Sequence, residues 1–344
     1  MNTKTKEKKP ARAILRWCIY LSPIPVFIAA LCIGSYGLHI TEIIDIVLYK
    51  ISGYTVFNTA LTSSAITVLI DVRLPRVILA LLVGAALSVS GASFQSLMRN
   101  PLVEPYTLGL SSGAAFGAAL SMAFLNIPLQ VSAFVCAMVS IAVCYGIAQK
   151  KGEVSVISLI LAGIIISSIF TAGLSVIQIM VDPLKLQGLI FWTMGGFYTA
   201  TWGKVLSSVG FMAVGFILIF IFRWKLNILS MGDRDAKILG VNPKVFKLII
   251  IFAATLLASS SVAVSGIISL VGLMVPHICR MMFGPDNAKL IPLSMTFGAS
   301  YLMIVDTVSR NLFTFEVPVG IFTTFLGAPF FIILLRKVRS IGWN

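Results

Sequence analysis

Residues able to do chemistry are few in this sequence, and their spacing assembles none of the usual constellations. The carboxylates Asp71, Glu104, Glu153, Asp182, Asp306 and Glu316 all fall where apolar runs begin or end. None stands inside an apolar run, where a proton relay or ion-coupling site would need it. The two histidines, His39 and His277, are too far apart to share a metal at helical spacing. The five cysteines (Cys18, Cys32, Cys136, Cys144 and Cys279) are scattered through apolar stretches. That is the pattern of small packing residues, not of a disulfide or zinc framework. A phosphate-binding loop would read G-x-x-x-x-G-K-[ST]. The nearest approach, Gly203-Lys204-Val205, lacks both the glycine spacing and the hydroxyl. The sequence therefore predicts no catalytic residue, no metal site and no ATP hydrolysis by this chain.

The elements that must position the remaining polar residues are apolar. Of the 344 residues 58% are hydrophobic and 11% charged, with a mean hydropathy of +1.00. Soluble domains carry about 25% charged residues, so a bilayer is the solvent that fits. The net charge of +14 does not point to nucleic acid, because the basic residues punctuate apolar stretches and form no stripe with interleaved aromatics. At the N-terminus, a basic stretch from Lys4 to Arg16 precedes an apolar run from Trp17 to Leu38. That run is longer than a cleaved signal core, and no small-residue cleavage site follows. It is read as a first span, preceded by a basic tail over 1–13.

Intervals free of charge place ten spans near 14–37, 76–97, 108–126, 129–148, 155–180, 204–222, 246–264, 266–283, 290–306 and 318–335. Residues 105–148 carry no charge and would make a helix about 66 Å long. Asn126-Ile127-Pro128 breaks them into a hairpin. Residues 248–279 would make about 48 Å of helix, too long for one span and short for two. Gly266 after Ser265 is the expected bend, tolerable in a membrane only where protein satisfies the exposed backbone. The Thr- and Ser-containing stretch 55–70 is a poor span and is expected as a helix on the outer surface. With the N-terminus inside, this arrangement puts 20 Lys/Arg on inner segments and 6 on outer ones. An eleventh span would turn the basic C-terminus outward and break that bias. The expected fold is all-α: one polytopic membrane domain over 1–344, in the cytoplasmic membrane, with both termini cytoplasmic.

One inner loop, 224–245, is built differently from the rest. Asp233 and Asp235 open a short helical pattern, Lys237 follows, Gly240 suits its end and Pro243 forbids continuation. Its residues (Met231, Gly232, Asp233, Arg234, Asp235, Lys237, Leu239 and Gly240) fit either a stiff docking element for a partner or a solvated connector.

Several stretches together resemble a known family. They are Arg73-Leu-Pro-Arg76, the small-residue helix Leu81 to Gln95, Arg99-Asn-Pro-Leu-Val-Glu-Pro-Tyr-Thr-Leu-Gly109, Gly272-Leu-Met-Val-Pro-His-Ile-Cys-Arg280, Phe283-Gly-Pro-Asp286, Asp306-Thr-Val-Ser-Arg310, Glu316-Val-Pro-Val-Gly-Ile321 and Leu326-Gly-Ala-Pro-Phe-Phe331. In order and spacing these are similar to the FecCD/BtuC-like permeases, which import ferric siderophores, haem and cobalamin. The resemblance runs from about residue 70 to the C-terminus. It implies ten helices per subunit, a permease dimer with the pathway on its axis, two ATPase subunits holding ATP and magnesium below, and a periplasmic or lipid-anchored substrate-binding protein above. The competing class is an ion-coupled carrier that needs no ATPase. It calls for an acid within the membrane or a pore-lining charge ring, which the sequence does not offer.

The resemblance also suggests roles for individual residues. Arg73, Arg76 and Arg310 would dock acidic residues of the binding protein, where charge complementarity sets register and on-rate; as bare residues they fit interfacial anchors equally. Met231 to Gly240 would be the ATPase-coupling segment. Asn100 and Leu102 would belong to the cytoplasmic gate, although Asn-Pro is also a plain helix stop. The second gate stretch, Ser155 and Val156, is more apolar here than the family's run of hydroxyls. Gly84, Ser88, Ser90 and Gly91 are expected to permit close helix contact. Gln95 either faces the pathway or satisfies a neighbouring backbone, Trp192 and Met194 are candidates for the pathway mouth, and His277 is expected to serve packing.

Overall fold

The computed structural model describes residues 8–57, 59, 61–150 and 153–339, and they are almost entirely helical. The basic residues ahead of position 8, and Lys151, lie outside the described residues. The first span is broken in two: α1 (Lys8–Leu21) and α2 (Pro23–Cys32) meet at Ser22. Prolines 23 and 25 remove two helical donors there, and the Ser22 hydroxyl bonds the Ile19 carbonyl and Ser300 instead. Outside lies α3 (Ile40–Ser52), whose buried Asp45 accepts the backbone N–H groups of Val56, Phe57 and Thr59 and so folds the outer loop back on the helix.

The expected surface helix over 55–70 is corrected by the structure. Residues from Ser63 onward run as α4 (Ser63–Thr67) and a wider turn over Val68–Arg73 directly into α5 (Leu74–Leu97). Ser63–Leu97 is one helical stretch of 35 residues. Its hydroxyls suit a helix end: Thr62 caps the Ala65 N–H, and Trp202 donates to the Ile70 carbonyl freed by the wide turn.

The remaining elements follow the expected intervals more closely. After a turn of 3₁₀ helix (Pro105–Leu108) come α6 (Leu110–Ala123) and α7 (Leu129–Ala148), with the break at Asn126-Ile127-Pro128 as expected. A two-residue strand pair, 149–150 with 153–154, turns the chain into α8 (Val156–Met180). Then α9 (Pro183–Met194) leads to α10 (Trp202–Met231), which runs well past the apolar interval into the inner loop, and to the short α11 (Asp233–Ile238). The set closes with α12 (Pro243–Ser265), α13 (Val271–Phe283), α14 (Asn287–Asn311) and α15 (Val319–Arg339).

Among the described residues, seven helical stretches are long and apolar enough to cross a membrane, and three shorter apolar helices, α6, α13 and α15, accompany them. Two sit at the centre: 83% of the most apolar window is buried in both Ser63–Leu97 and α12, against 22% in α8. A membrane offers no hydrophobic drive between helices, so close backbone contact must supply it. Glycines make that contact possible. A Cβ at Gly91 would lie 1.8 Å from the Gly272 carbonyl oxygen, and one at Gly84 would lie 2.3 Å from that of Gly298. The Ser90 hydroxyl donates to the Ala254 carbonyl across the α5–α12 contact. Through these three contacts α5 binds α13, α14 and α12 at once.

Candidate functional site

Three levels of the helix bundle gather the polar residues. At one end of the bundle, α5, α14 and the segment before α15 meet in a charged cluster. Arg76 donates from Nε and Nη2 to Asp306 at 2.9–3.1 Å and from Nη1 to Glu316 at 3.0 Å. Arg76 and Asp306 are buried, while the Glu316 side chain is 50% exposed. Arg73, also buried, donates to the Leu31, Cys32 and Tyr36 carbonyls at and beyond the end of α2. Arg310 reaches the Ala30 carbonyl, one residue before Leu31, and leaves its Nε without a partner. A positive charge at a helix C-terminus satisfies orphan carbonyls and complements the dipole. The structure thus brings the three arginines to one end of the bundle, with most of their donors used within the chain. Arg76 and Glu316 also line an outward cavity of about 270 Å³ beside Phe191 and Tyr198.

At the middle level the backbone is irregular in two places, and the two meet. Helix α5 stops when Arg99 takes a left-handed conformation (φ 52°) and the Asn100 N–H returns to the Gln95 carbonyl. The chain then climbs back into the bundle. By Gly109 it touches Ser140 and Ser167, near the midpoints of α7 and α8. From there α6 has 14 residues, about 21 Å, too few to cross alone. The second break follows Ser265: Gly266 turns with φ 69°, and Leu270, also left-handed (φ 67°), opens α13. A Cβ at Gly266 would stand 2.1 Å from the Trp192 carbonyl, so glycine is required for both conformation and space. The Glu104 carboxylate lies within hydrogen-bonding reach of the Leu270 N–H. Glu104 itself stays in a loop ahead of the 3₁₀ turn, at the edge of an apolar run as the sequence has it. The charge-free residues after it first fold inward and then form the short apolar helix α6.

Beside this junction is a cavity of about 520 Å³ between α9, the 266–270 segment and α15. Met194, Ser269 and Thr324 line it, and none of its lining residues is charged. Met194 therefore lines an uncharged cavity. Trp192 is buried behind it, against Gly266. Gln95 takes the second of its two alternatives: it donates to the Gly272 and Leu273 carbonyls and accepts from Arg280 at 2.8 Å. His277 packs edge-on to the Phe330 and Phe331 rings.

At the opposite end of the bundle, Arg99, Tyr145, Ser155, Val156, Asp233 and Lys247 surround one cavity of about 190 Å³. Asn100 braces its turn by accepting the Leu102 N–H at 3.0 Å, and Leu102 is exposed. Ser155 caps α8 through the Ser158 N–H. The turn at Arg99 and the start of α8, distant in sequence, thus adjoin the 231–240 segment. Within that segment Met231 is the last residue of α10, and Gly232 (φ 132°) makes the corner into α11. Asp233 pairs with Lys247 on α12 at 2.7 Å. Arg234, Asp235 and Lys237 lie on α11, and Leu239 with left-handed Gly240 (φ 74°) ends it. Ala236 is buried, whereas Met231, Ile238 and Leu239 are 61%, 75% and 55% exposed. An apolar tip flanked by charges, at the end of a long helix, is a surface that seeks a protein partner.

Comparison with known proteins decides the family. The profile of the FecCD transport family matches residues 23–337. This chain belongs to that family. An iron chelatin transport system permease from Helicobacter pylori is 35% identical over 323 residues, covering 94% of this chain and 98% of the relative. A molybdate import system permease from Haemophilus influenzae is 37% identical over 323 residues, covering 92% and 94% respectively. A solved inward-facing metal-chelate type ABC transporter superposes with a TM-score of 0.82 at 33% identity, covering 94% of this chain and 99% of that one. The chain is accordingly a multi-pass membrane permease of an ABC transporter, and ATP hydrolysis in such systems belongs to separate subunits.

Proposed function

We propose that the chain is the membrane-spanning subunit of a binding-protein-dependent importer that moves an iron chelate into the cytoplasm. The cargo is a ferric siderophore in first place, with haem or cobalamin as near chemical alternatives. The observation that carries the reading is the exposed apolar tip of α11. It stands at the end of α10, is pinned to α12 by Asp233 and Lys247, and borders the cavity lined by Ser155, Val156 and Arg99, the residue before Asn100. A partner that moves this tip moves the gate. In our reading the partner is a pair of ATPase subunits carrying ATP and magnesium, and their closure drives alternating access.

The three short helices complete ten membrane helices in this reading, with both termini cytoplasmic. The uncharged cavity at Met194 becomes half of a pathway that a second copy of the permease closes. A large neutral-walled route suits a bulky chelate, whose charge is shielded by its own ligands. On the outer side the buried Arg73 and Arg76, with Arg310, outnumber Asp306 and Glu316, and in this reading that net positive charge beneath the surface attracts the acidic face of a substrate-binding protein. The test is co-purification of the full-length permease with its ATPase, before and after Met231–Gly240 is replaced by a Gly/Ser linker of equal length. Retention of the ATPase by the replaced chain would refute the assignment.

A further inference from the structure

A cluster of basic residues on the inner side takes no part in the pathway. Arg16 on α1, Arg223 on α10 and Lys289 on α14 all lie within charge-interaction range of the Tyr20 hydroxyl. Helix α14 packs against both α1 and α10, so the three cations gather at one junction of helices. Neither Arg16 nor Arg223 has a carboxylate partner among the described residues. Arg223 lies over the Phe220 ring at 5.0 Å, which supplies no counter-charge, and its Nε is buried and without a hydrogen-bond partner. Lys289 pairs with Asp286 at 3.2 Å, but that acid also accepts from Asn227 and the Ala288 N–H. The junction therefore holds uncompensated positive charge.

Its depth and borders indicate what compensates it. Asn227, one turn past Arg223, bonds Asp286 and the Asn287 N–H at the cytoplasmic start of α14. Trp17 and Trp224, each next in sequence to one of the two arginines, are 60% and 63% exposed, and the Trp17 ring meets Tyr20 edge-on at 5.9 Å. Exposed indoles at this level mark the headgroup region of a bilayer. Basic crevices between helices on the cytoplasmic side bind anionic headgroups. Water alone would leave two guanidinium groups facing lipid at the edge of the hydrocarbon, an expensive arrangement.

The geometry points to a binding site for an anionic phospholipid of the inner leaflet. Its phosphate is held by Arg16 and Arg223, with Lys289 and Tyr20 at the rim and the two indoles beside the glycerol and upper acyl chains. The lipid would tie broken α1 to α10 and α14 at the point where α1 has few other anchors: only 17% of the most apolar window of Ala13–Cys32 is buried.

The test is native mass spectrometry of the full-length chain in mild detergent, titrated with phosphatidylglycerol, with phosphatidylcholine of the same chains, and with inorganic phosphate. Each basic residue near an anionic headgroup contributes about a factor of five to affinity. The double variant Arg16→Gln/Arg223→Gln should therefore bind phosphatidylglycerol roughly 30-fold more weakly, while Arg16→Lys/Arg223→Lys, which keeps the charge, should retain most of the binding. The Lys50→Gln variant, on the outer side, should match the wild type and show that purified protein is competent. Equal binding of phosphatidylcholine, unchanged affinity in the double glutamine variant, or saturation by inorganic phosphate alone would overturn the proposal.

Discussion

Replacing Asp306 by Asn and Glu316 by Gln removes one negative charge from the same arginine, and the structure predicts very different costs. Asp306 is 1% exposed, meets Arg76 through three hydrogen bonds of 2.9–3.1 Å and lies within α14. Without its charge, a guanidinium with a side chain only 9% exposed keeps a single, half-exposed counter-ion. Breaking a buried pair from one side costs about 3–5 kcal/mol. Glu316 is 50% exposed, so its loss should cost under about 1 kcal/mol. At roughly 2 °C per kcal/mol for a chain of this size, the apparent Tm should fall about 6–10 °C for Asp306→Asn and about 2 °C or less for Glu316→Gln. The assay is thermal unfolding of the detergent-solubilised permease followed by size-exclusion. Replacing the pair together, as Arg76→Met/Asp306→Leu, should cost less than Asp306→Asn alone, because no buried uncompensated charge remains and the freed Glu316 is half exposed to solvent. Equal shifts for the two single variants would refute the reasoning, since burial would then not govern the strength of the pair.

Three further outcomes follow from particular contacts. Gly91→Ala places a methyl on the Gly272 carbonyl and forces α5 and α13 apart; a loss of about 1–3 kcal/mol or more should appear as a reduced yield of monodisperse protein. At Asp45, burial opposes ionisation, but the Phe57, Thr59 and Val56 hydrogen bonds outweigh it and hold the carboxyl near about 2. A depressed folded value means the contribution is fully present above the ordinary carboxylate range and is lost as pH falls towards 2. The stability gap between wild type and Asp45→Asn, measured by thermal unfolding, should be constant from pH 5 to 8 and close below about pH 4. Finally, Lys247→Ala frees α11 from α12, so solute moved per ATP hydrolysed by the reconstituted complex should fall severalfold. The exchanged pair Asp233→Lys/Lys247→Asp should restore it in part.

The legible features of this sequence were those that a bilayer imposes on it. Charge-free intervals located the long helices because the part of each that crosses a bilayer must be apolar, while the ends, as in α10 and α14, carry charge. Asn126-Ile127-Pro128 and Gly266 were visible as breaks because proline and glycine act locally. Gly84 and Gly91 read as close-contact residues, and the structure sets them against Gly298 and Gly272. What stayed hidden depends on partners distant in sequence. Ser63 to Ile70 looked too polar for a span because its Trp202 anchor is not a neighbour in the chain. Glu104 reads as a boundary residue, but nothing local shows that the chain after it turns back into the bundle. The engagement of the three arginines with α2 carbonyls and with Asp306 could be read only in three dimensions.

The central claim is that ATP hydrolysed by a separate subunit drives an iron chelate inward through this permease. It is tested most directly in proteoliposomes that hold the permease and its ATPase, with binding protein and a radiolabelled ferric siderophore outside and ATP inside. Uptake that requires ATP, binding protein and an intact Met231–Gly240 segment is the predicted result. Uptake by the permease alone, driven by an ion gradient and indifferent to ATP, would contradict the account.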